Sequence, residues 1–427
     1  MFHIDYRYLR PKKAEALKRW YAEDFPQRDS LDIWQGQNAT VLPLIPEAGL
    51  LFGRGGVVDQ SGSYVPLSGI PGRVWGAYSV DNAPYVDQKV VYCGYMVNHW
   101  GHFLVEAVAR LWYYLQNDKS IDKYIFFLNQ DEQREIRGNY REFFELLGIW
   151  DKLEFISKPT KYREVLIPEL AFHYHDYYSP LFLDIFNAVV ANVSVDPSWE
   201  IAPKIYFSRS QLNKGKGMEF GLEMLDDFFS KNGFTILYPE KVPLSRMIHY
   251  IRNCDILATL SGSLPHNMLF AQRGQKLVVI ERTILNNDFQ TYINRMRGLN
   301  ATNIDANIGI YPVDMCGPFI MACNDILKRY AADNEMVLPD NRFLSKRFQE
   351  QCFKKYMRAY QDIYRYQWYM DDWYVECADY LVEAYEDGVV YFRDFLEGKR
   401  PCLPENYFQL HYFKQLIKRL LFKLKDT

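Results

Sequence analysis

The feature that most constrains the fold is a regular alternation of apolar strands and amphipathic helices in the middle of the chain. Strands are predicted at KIYFSRS, FTILYPE, CDILATLSG and KLVVIE, which follow one another over residues 204–281. Helices are predicted between them at residues 219–232, 244–253 and 264–272. Strands that alternate with helices at this spacing favour a parallel, doubly wound α/β sheet. Ligands of such sheets bind beyond the carboxyl ends of the strands.

The remaining sequence indicates a second domain and an extension. A chain of 427 residues is too long for one ordinary core. Short apolar runs and turns, followed by a helix predicted from about residue 99 to 116, precede the segment SVDPSWEIAPK, which has the proline content of a linker. We therefore expect an N-terminal α/β domain at residues 1–195, a Rossmann-like domain at 196–340 and a helical extension at 341–427.

Composition excludes several classes of protein. A net charge of −3 gives no reason to expect nucleic acid as a partner. Seven cysteines without CxxC spacing favour reduced thiols and a cytoplasmic location. The first residues lack the apolar stretch of a signal peptide, and no apolar run reaches the roughly 18 residues that span a bilayer. The 33 Tyr and 28 Phe fit either a large mixed core or surfaces that stack on sugar rings.

The turn in TLSGSLPHNMLF is the most informative segment. Ser261, Gly262 and Ser263 are small residues that let a ligand approach the backbone, and a helix is predicted to begin near Pro265. A helix N-terminus suits a diphosphate, and His266 and Asn267 could contact phosphate, ribose or sugar. The alternative is a capped helix of the kind found in any α/β fold.

A basic segment follows the first strand of the alternation. Ser208 and Arg209 end the strand KIYFSRS, where a guanidinium group can grip a phosphate. Lys214 and Lys216 follow in a Gly-containing loop, which could equally be a solvated basic loop. The same rule on strand ends points to Glu281 and Arg282 after KLVVIE.

The segment NHWGHFLVEAVARLW offers a candidate general base. If the segment is helical, His102, Glu106 and Arg110 lie four residues apart on one face. An imidazole beside a carboxylate could deprotonate an attacking hydroxyl group. The alternative is a helix with a salt bridge and a satisfied core histidine.

Three motifs that would indicate particular chemistries are missing from the sequence. No Asp-x-Asp pair is present to hold a metal against a sugar diphosphate, so we expect no metal and a leaving group neutralised by Arg, Lys and a helix terminus. GxGxxG and GxSxG are also absent, which disfavours dinucleotide oxidoreductases and hydrolases of those types.

The C-terminal segment HYFKQLIKRLLFKLKDT has the pattern of a basic amphipathic helix, which could lie on an anionic membrane or pack on the other domain.

Taken in order, three blocks resemble glycosyltransferase family 61, which includes bacterial capsule and lipopolysaccharide enzymes. NHWGHFLVEAVARLW resembles a family helix at His102, Glu106 and Arg110, and IYFSRS resembles a strand that ends in Ser-Arg. The third block runs from ILYPEKV to KLVVIE, and the resemblance spans about residues 50–310. It implies a GT-B architecture, in which two Rossmann-like domains face a cleft, and inverting transfer from a nucleotide-sugar donor without a metal.

The leading hypothesis assigns roles to the candidate residues, with Ser208, Lys216 and Arg282 also expected at the donor site. His102 or Glu106 would be the base, oriented by Arg110, with the acceptor glycan entering from the N-terminal domain. Arg209 and residues 261–267 would hold the diphosphate, and Glu281 would contact ribose or base. Other interpretations are transfer of a polyol-phosphate unit and a non-catalytic glycan-binding or scaffold protein. The expected location is cytoplasmic, with peripheral attachment to the inner face of the cell membrane through the C-terminal helix.

Overall fold

The computed structural model describes residues 2–47, 53–70, 74, 76–212, 219–283, 288–308, 317–366 and 382. Two large β-sheets with helices packed on them account for most of these residues, so the predicted mixed α/β class is confirmed. No helix in this described part combines the length and the apolar character needed to cross a membrane. The C-terminal amphipathic helix and most of the predicted extension lie outside the described residues.

The strands are β1 His3–Asp5, β2 Ile33–Gln37, β3 Thr40–Ile45, β4 Arg54–Val58, β5 Tyr85–Tyr95, β6 Lys123–Phe127, β7 Leu153–Ile156, β8 Thr160–Pro168, β9 Phe172–His173, β10 Tyr177–Tyr178, β11 Lys204–Phe207, β12 Glu219–Phe220, β13 Thr235–Leu237, β14 Ile256–Leu260, β15 Lys276–Ile280, β16 Asn300–Ile304 and β17 Phe319–Ile320. The α-helices are α1 Pro11–Ala22, α2 Trp100–Val105, α3 Gly138–Leu147, α4 Pro180–Ala191, α5 Leu222–Lys231, α6 Leu244–Asn253, α7 Asp288–Arg297, α8 Asp325–Asp333, α9 Asn341–Leu344 and α10 Lys346–Tyr366. The 3₁₀ segments are Pro66–Ser68, Ala107–Gln116, Trp150–Lys152, Pro239–Lys241 and Leu264–Phe270.

The sheet that we call the second sheet is formed mainly by strands after residue 200, and it contains all four strands of the predicted alternation. Its order is β1-β16-β15-β14-β11-β13, and every neighbouring pair is parallel. From β11 the chain goes first to β13 on one side and then to β14 on the other. Such a change of direction opens a crevice at the carboxyl ends of the two strands that flank it, here β11 and β14. The topology therefore directs a ligand to the residues that follow Phe207 and Leu260.

The first strand of the chain lies in the second sheet. Residues His3, Ile4 and Asp5 of β1 pair with Asn300, Ala301 and Thr302 of β16. α1 follows, with Pro11 at its first turn, where the missing N–H is not needed. The division at residue 195 stays a prediction, but the first 22 residues pack with the strands that follow it, because a β-strand must pair to satisfy its backbone groups.

The other large sheet is mixed. β8, β5, β6 and β7 run parallel, while β2 and β3 pair antiparallel with β8, and β4 pairs antiparallel with β3. The described residues form two apolar cores, and the larger one is shared by both sheets, because the 3₁₀ segment Leu264–Phe270 packs against α3 and α4. The ring of Phe270 lies 5.3 Å from Phe186 and 6.3 Å from Phe143. This packing fixes the turn after β14 against the first half of the chain.

Three predicted helices differ from the observed elements. The helix expected at 99–116 is α-helical only to Val105 and continues as a 3₁₀-helix from Ala107. Every residue from Ala107 to Tyr113 is buried, and close packing on all sides favours the narrower 3₁₀-helix over the wider α-helix. Residues 219–220 form β12, which pairs with β17, so α5 begins at Leu222. The helix expected at 264–272 is a 3₁₀ segment of 7 residues, all of them buried.

Candidate active site

The residues after β11 form a tightly bonded turn. Ser208 is fully buried, and its backbone N–H donates to the carbonyl of Leu237 over 2.8 Å. The Ser208 hydroxyl oxygen accepts from the N–H of Ser210 over 3.0 Å. The Ser210 hydroxyl in turn donates to Asp226 over 2.5 Å, and burial raises the pKa of that carboxyl group. These bonds fix the direction in which the next side chain, Arg209, leaves the strand.

Arg209 and Arg282 are joined through Glu219. The Arg209 Nε atom donates to Glu219 Oε2 over 2.8 Å, and Arg282 donates to Oε1 of the same carboxylate. The Glu219 side chain is only 4% exposed, whereas the Arg209 and Arg282 side chains are 16% and 12% exposed. The Arg282 guanidinium also lies 4.4 Å from the centre of the Phe319 ring. Two guanidinium groups are thus held at the carboxyl edge of the sheet by one buried carboxylate.

The turn after β14 lies directly against Arg282. Gly262 has φ +121°, and a Cβ atom placed there would lie 2.5 Å from the Arg282 Nη2 atom. Only glycine allows both this backbone conformation and this close approach. Beside it, the Ser261 hydroxyl oxygen accepts from the backbone N–H of Arg282 over 3.1 Å. The structure therefore brings together Arg209, Arg282 and the Ser261–Ser263 turn, as the predicted anion site requires.

His266 and Asn267 lie in the buried 3₁₀ segment. The His266 Nδ1 atom is 3.0 Å from Gln290 Oε1, and the side-chain oxygen Oδ1 of Asn267 accepts from the Trp100 indole N–H over 2.9 Å. The pKa of His266 is lowered to about 4, mainly by burial and with a smaller contribution from the nearby His102 and His99, so the ring is neutral at pH 7. Because the segment is short and 3₁₀, the expected α-helical N-terminus is not present, and the arginines are the charged groups at this turn.

His102 and Glu106 form a close pair beside the same turn. The His102 Nδ1 atom lies 2.7 Å from Glu106 Oε2, with the two side chains 28% and 10% exposed. Gly101 brings α2 against the turn, because a Cβ atom there would lie 2.7 Å from the Ser263 hydroxyl and 3.2 Å from the His266 ring. The candidate base and the candidate diphosphate site therefore belong to one region of the molecule.

Arg110 is directed away from this pair along the 3₁₀ segment. Its side chain is fully buried, and its guanidinium donates to the backbone carbonyls of Leu67, Gly69 and Pro168 at 2.6–3.1 Å. Burial lowers the pKa of Arg110, whose charge is met by carbonyl dipoles. The expected stripe of three residues on one α-helical face is wrong in this respect, because the α-helix ends before Glu106.

Glu281 is engaged by the N-terminal helix. Its carboxylate accepts from the Lys13 ammonium over 2.9 Å, and the side chains are 7% and 4% exposed. Burial raises the pKa of Glu281, while Lys13 and the Ser261 hydroxyl act in the opposite direction. Lys13 also donates to the carbonyl of Thr283. Lys216, which was predicted to bind the donor, and its neighbour Lys214 lie outside the described residues.

Sequence reasoning missed Glu219, Lys13 and Gln290. Glu219 is separated from Arg209 by a Gly- and Lys-rich loop, and its neighbour in β17 lies 100 residues further along the chain. Lys13 reaches Glu281 across 268 residues. A lysine on an amphipathic helix gives no local signal of such a contact. Gln290 gave only a weak signal in the sequence. It is a polar residue beside the apolar Phe289 on a short helix, and this pattern does not distinguish an exposed position from a buried one with a polar partner such as His266.

Comparison with known families bears directly on this region. Residues 100–278 match the model of the family described as Glycosyltransferase 61. No curated protein sequence matches the chain. The matched range begins at α2, includes His102, Arg209 and the Ser261–Ser263 turn, and ends within β15. The match does not extend to Arg282 and covers less than half of the chain, but it includes most of the residues of this site, and it supports a glycosyltransferase.

Proposed function

We propose that this glycosyltransferase moves a sugar from a nucleoside-diphosphate donor to a hydroxyl group of a bacterial surface polysaccharide, with inversion and without a metal. The observation that carries the proposal is the position of the His102–Glu106 pair beside the turn against which Arg282 packs. An inverting transferase needs a base on one side of the anomeric carbon and a stabilised leaving group on the other. The acceptor class follows from the family resemblance.

Arg209 and Arg282 are proposed to bind the donor diphosphate. Guanidinium groups donate in a planar fork that fits phosphate oxygens, and their charge stabilises the diphosphate as it leaves. Glu219 holds both groups in place before the donor binds. With Ser208, Ser261, Gly262, Ser263, His266 and Asn267, they form the wall of the proposed donor site. A pair of arginines around one carboxylate supplies the positive charge that a metal supplies in other transferases.

His102 is proposed to be the catalytic base. Its Nδ1 atom faces Glu106, which assigns the Nε2 atom to the acceptor hydroxyl. As the hydroxyl attacks the anomeric carbon, its proton moves to Nε2 and the diphosphate leaves with the bonding electrons. Glu106 fixes the ring and stabilises the imidazolium that forms, as a carboxylate does for a histidine base.

Replacing His102 and Arg209 with alanine tests this proposal. The protein is first incubated with a panel of nucleotide sugars and glycan acceptors, and products are identified by mass. We expect His102→Ala to lower kcat by about 10²–10⁴-fold, the range for general-base catalysis. Arg209→Ala should abolish transfer, and both variants should keep a thermal midpoint near that of the wild type. His3→Ala, on an exposed strand position, and Arg246→Ala, on α6, serve as matched controls.

The product mass and the donor measurements separate this proposal from its rivals. A hexose or pentose increment supports glycosyl transfer, whereas an increment that contains phosphorus would favour polyol-phosphate transfer. Calorimetry that shows neither donor binding nor donor hydrolysis would favour a scaffold protein. Full transfer by both alanine variants would remove these residues from the mechanism. Loss of folding in both would reduce them to structural roles.

The proposed location is the cytoplasmic face of the cell membrane. The support is the basic amphipathic pattern of residues 412–427, where cationic side chains alternate with apolar ones. Deleting these residues should weaken binding to vesicles of anionic lipid and leave transfer to an oligosaccharide in solution unchanged. Unchanged vesicle binding would instead indicate that the helix packs on the protein.

A further inference from the structure

A continuous run of aromatic rings leads away from the proposed base. Phe289 meets the His102 ring edge-on at 6.0 Å, and Tyr174 stacks on Phe289 at 4.4 Å. The ring of His175 lies 3.8 Å from Tyr174, and Trp20 lies 5.0 Å from His175. We call Trp20, His175, Tyr174 and Phe289 the aromatic track. The His102–Phe289 and Trp20–His175 distances lie within the range of about 4.5–7 Å over which rings pack on one another, and the other two distances are shorter still.

Three separate segments of the chain build this track. Trp20 comes from α1, Phe289 from α7, and the other two rings from the tip of the hairpin between β9 and β10. The Tyr292 hydroxyl lies 2.8 Å from His175 Nδ1, and His175 itself adopts φ +63°. A non-glycine residue in this left-handed conformation needs the surrounding contacts to hold it. The track is therefore fixed in place before any ligand arrives.

The track is a surface with both apolar and acidic character. Phe289 is only 8% exposed and lies beneath the other rings, whereas Trp20 and Tyr174 are partly exposed and the His175 side chain is 40% exposed. Two carboxylates flank it: Asp176 at the hairpin tip, 61% exposed, and Glu23 after α1, 50% exposed. Flat rings accept the apolar faces of sugars, and carboxylates accept bonds from sugar hydroxyls. Acidic flanks are unsuited to an anionic membrane surface.

We propose that the aromatic track is a binding subsite for the acceptor glycan. The chain of sugars lies along Tyr174 and Trp20, and its terminal hydroxyl reaches His102. The inference rests on the proposed function, since the track begins at the proposed base. It extends that function by assigning an acceptor of several sugar rings, held by stacking and by hydrogen bonds to Asp176 and Glu23. A single sugar would contact only the end of the track nearest His102.

The test measures binding of oligosaccharides of one to six rings by saturation-transfer NMR. The probes are β-1,4-linked glucose, β-1,4-linked N-acetylglucosamine and α-1,4-linked glucose. We expect the wild-type Kd for at least one series to fall as rings are added. Trp20→Ala, at the far end of the track, should raise the Kd of the longest oligomer about tenfold and leave that of the monosaccharide unchanged, whereas Tyr174→Ala should raise the Kd of both. Asp176→Asn, at an exposed position where folding is unaffected, should raise it about threefold.

A matched control is available elsewhere in the chain. Trp199 packs on His249 with ring centres 5.4 Å apart, so Trp199→Ala removes a similar aromatic pair away from the track. This variant should bind every oligomer as the wild type does. The inference is overturned if no series binds, if length has no effect, or if the track variants match the Trp199→Ala control.

Donor calorimetry on the same samples separates this inference from the proposed function. Donor binding and hydrolysis that persist while the track variants bind oligosaccharides normally would refute the subsite and leave glycosyl transfer standing. Absence of donor binding and hydrolysis would refute the proposed function, whatever the oligosaccharides show.

Discussion

Replacing Lys13 with methionine would test whether the N-terminal helix stabilises the second sheet around Glu281. The Lys13 ammonium donates to Glu281 over 2.9 Å, and neither side chain is more than 7% exposed. Methionine keeps most of the apolar stem but leaves the Glu281 carboxylate buried without its cation. Removing one partner of a buried ion pair costs about 3–5 kcal/mol. We therefore expect the free energy of unfolding to fall by about that amount at pH 7.

Urea denaturation followed by circular dichroism measures this loss. Lys12→Met is the matched control, because Lys12 is the exposed neighbour of Lys13 on the same helix. It should change the free energy of unfolding by no more than about 0.5 kcal/mol. The double variant Lys13→Met, Glu281→Leu removes both charges and should recover most of the lost stability, since an apolar pair of similar size often replaces a buried ion pair without cost.

The effect of pH provides a further check. Burial raises the pKa of Glu281, and Lys13 opposes this rise. A carboxyl group with a raised folded pKa binds its proton more tightly in the folded chain, so stability falls as pH rises through that pKa. Without Lys13 the rise is larger, and the deficit of Lys13→Met should shrink as pH falls from 7 to about 5. A deficit below about 1 kcal/mol at pH 7, or one that does not shrink, would refute the reasoning.

Three further predictions concern the crevice. Burial lowers the pKa of His266 to about 4, so the unfolded chain binds the extra proton first and the free energy of unfolding falls as pH drops from about 6.5 to 4. His266→Gln should remove up to about 3 kcal/mol of this pH dependence, measured by urea titrations at several pH values. An unchanged pH dependence would contradict the prediction. Gly262→Ala should cost about 1–3 kcal/mol in strain, displace Arg282 and weaken donor binding in calorimetry; wild-type behaviour in both assays would contradict this. Arg282→Lys should raise the donor Kd about tenfold, because lysine lacks the planar fork that reaches Glu219 and lies over Phe319; the exposed Arg273→Lys should not, and equal affinities would count against the arginine pair.

Local pattern was enough to predict the second sheet and part of the site. The four strands from Lys204 to Ile280 are parallel neighbours, because each is a short apolar run between amphipathic helices. The spacing of His102 and Glu106 gave their contact, since four residues make one α-helical turn. The ends of the strands predicted that Arg209 and the Ser261–Ser263 turn lie at one edge of the sheet, because parallel strands end at one edge, but not that Glu219 and Arg282 link them.

The remaining features depend on contacts that local pattern does not encode. Arg110 would lie over Glu106 in a regular α-helix, but burial of the whole segment from Ala107 to Tyr113 converts it to 3₁₀ and turns the guanidinium to backbone carbonyls. The pairing of β1 with β16 joins residues almost 300 positions apart, and a strand of three residues is too short for periodicity to assign.

The place of β1 at the edge of the second sheet has a consequence for synthesis on the ribosome. His3, Ile4 and Asp5 emerge early, but their partners in β16 leave the exit tunnel only after almost 300 further residues have been added. Until then the nascent chain carries an unpaired strand and a helix without its packing partners, to which other chains or chaperones can bind. The second sheet is therefore completed only after β16 has been made, and a fragment expressed from residue 196 onward would lack its edge strand β1.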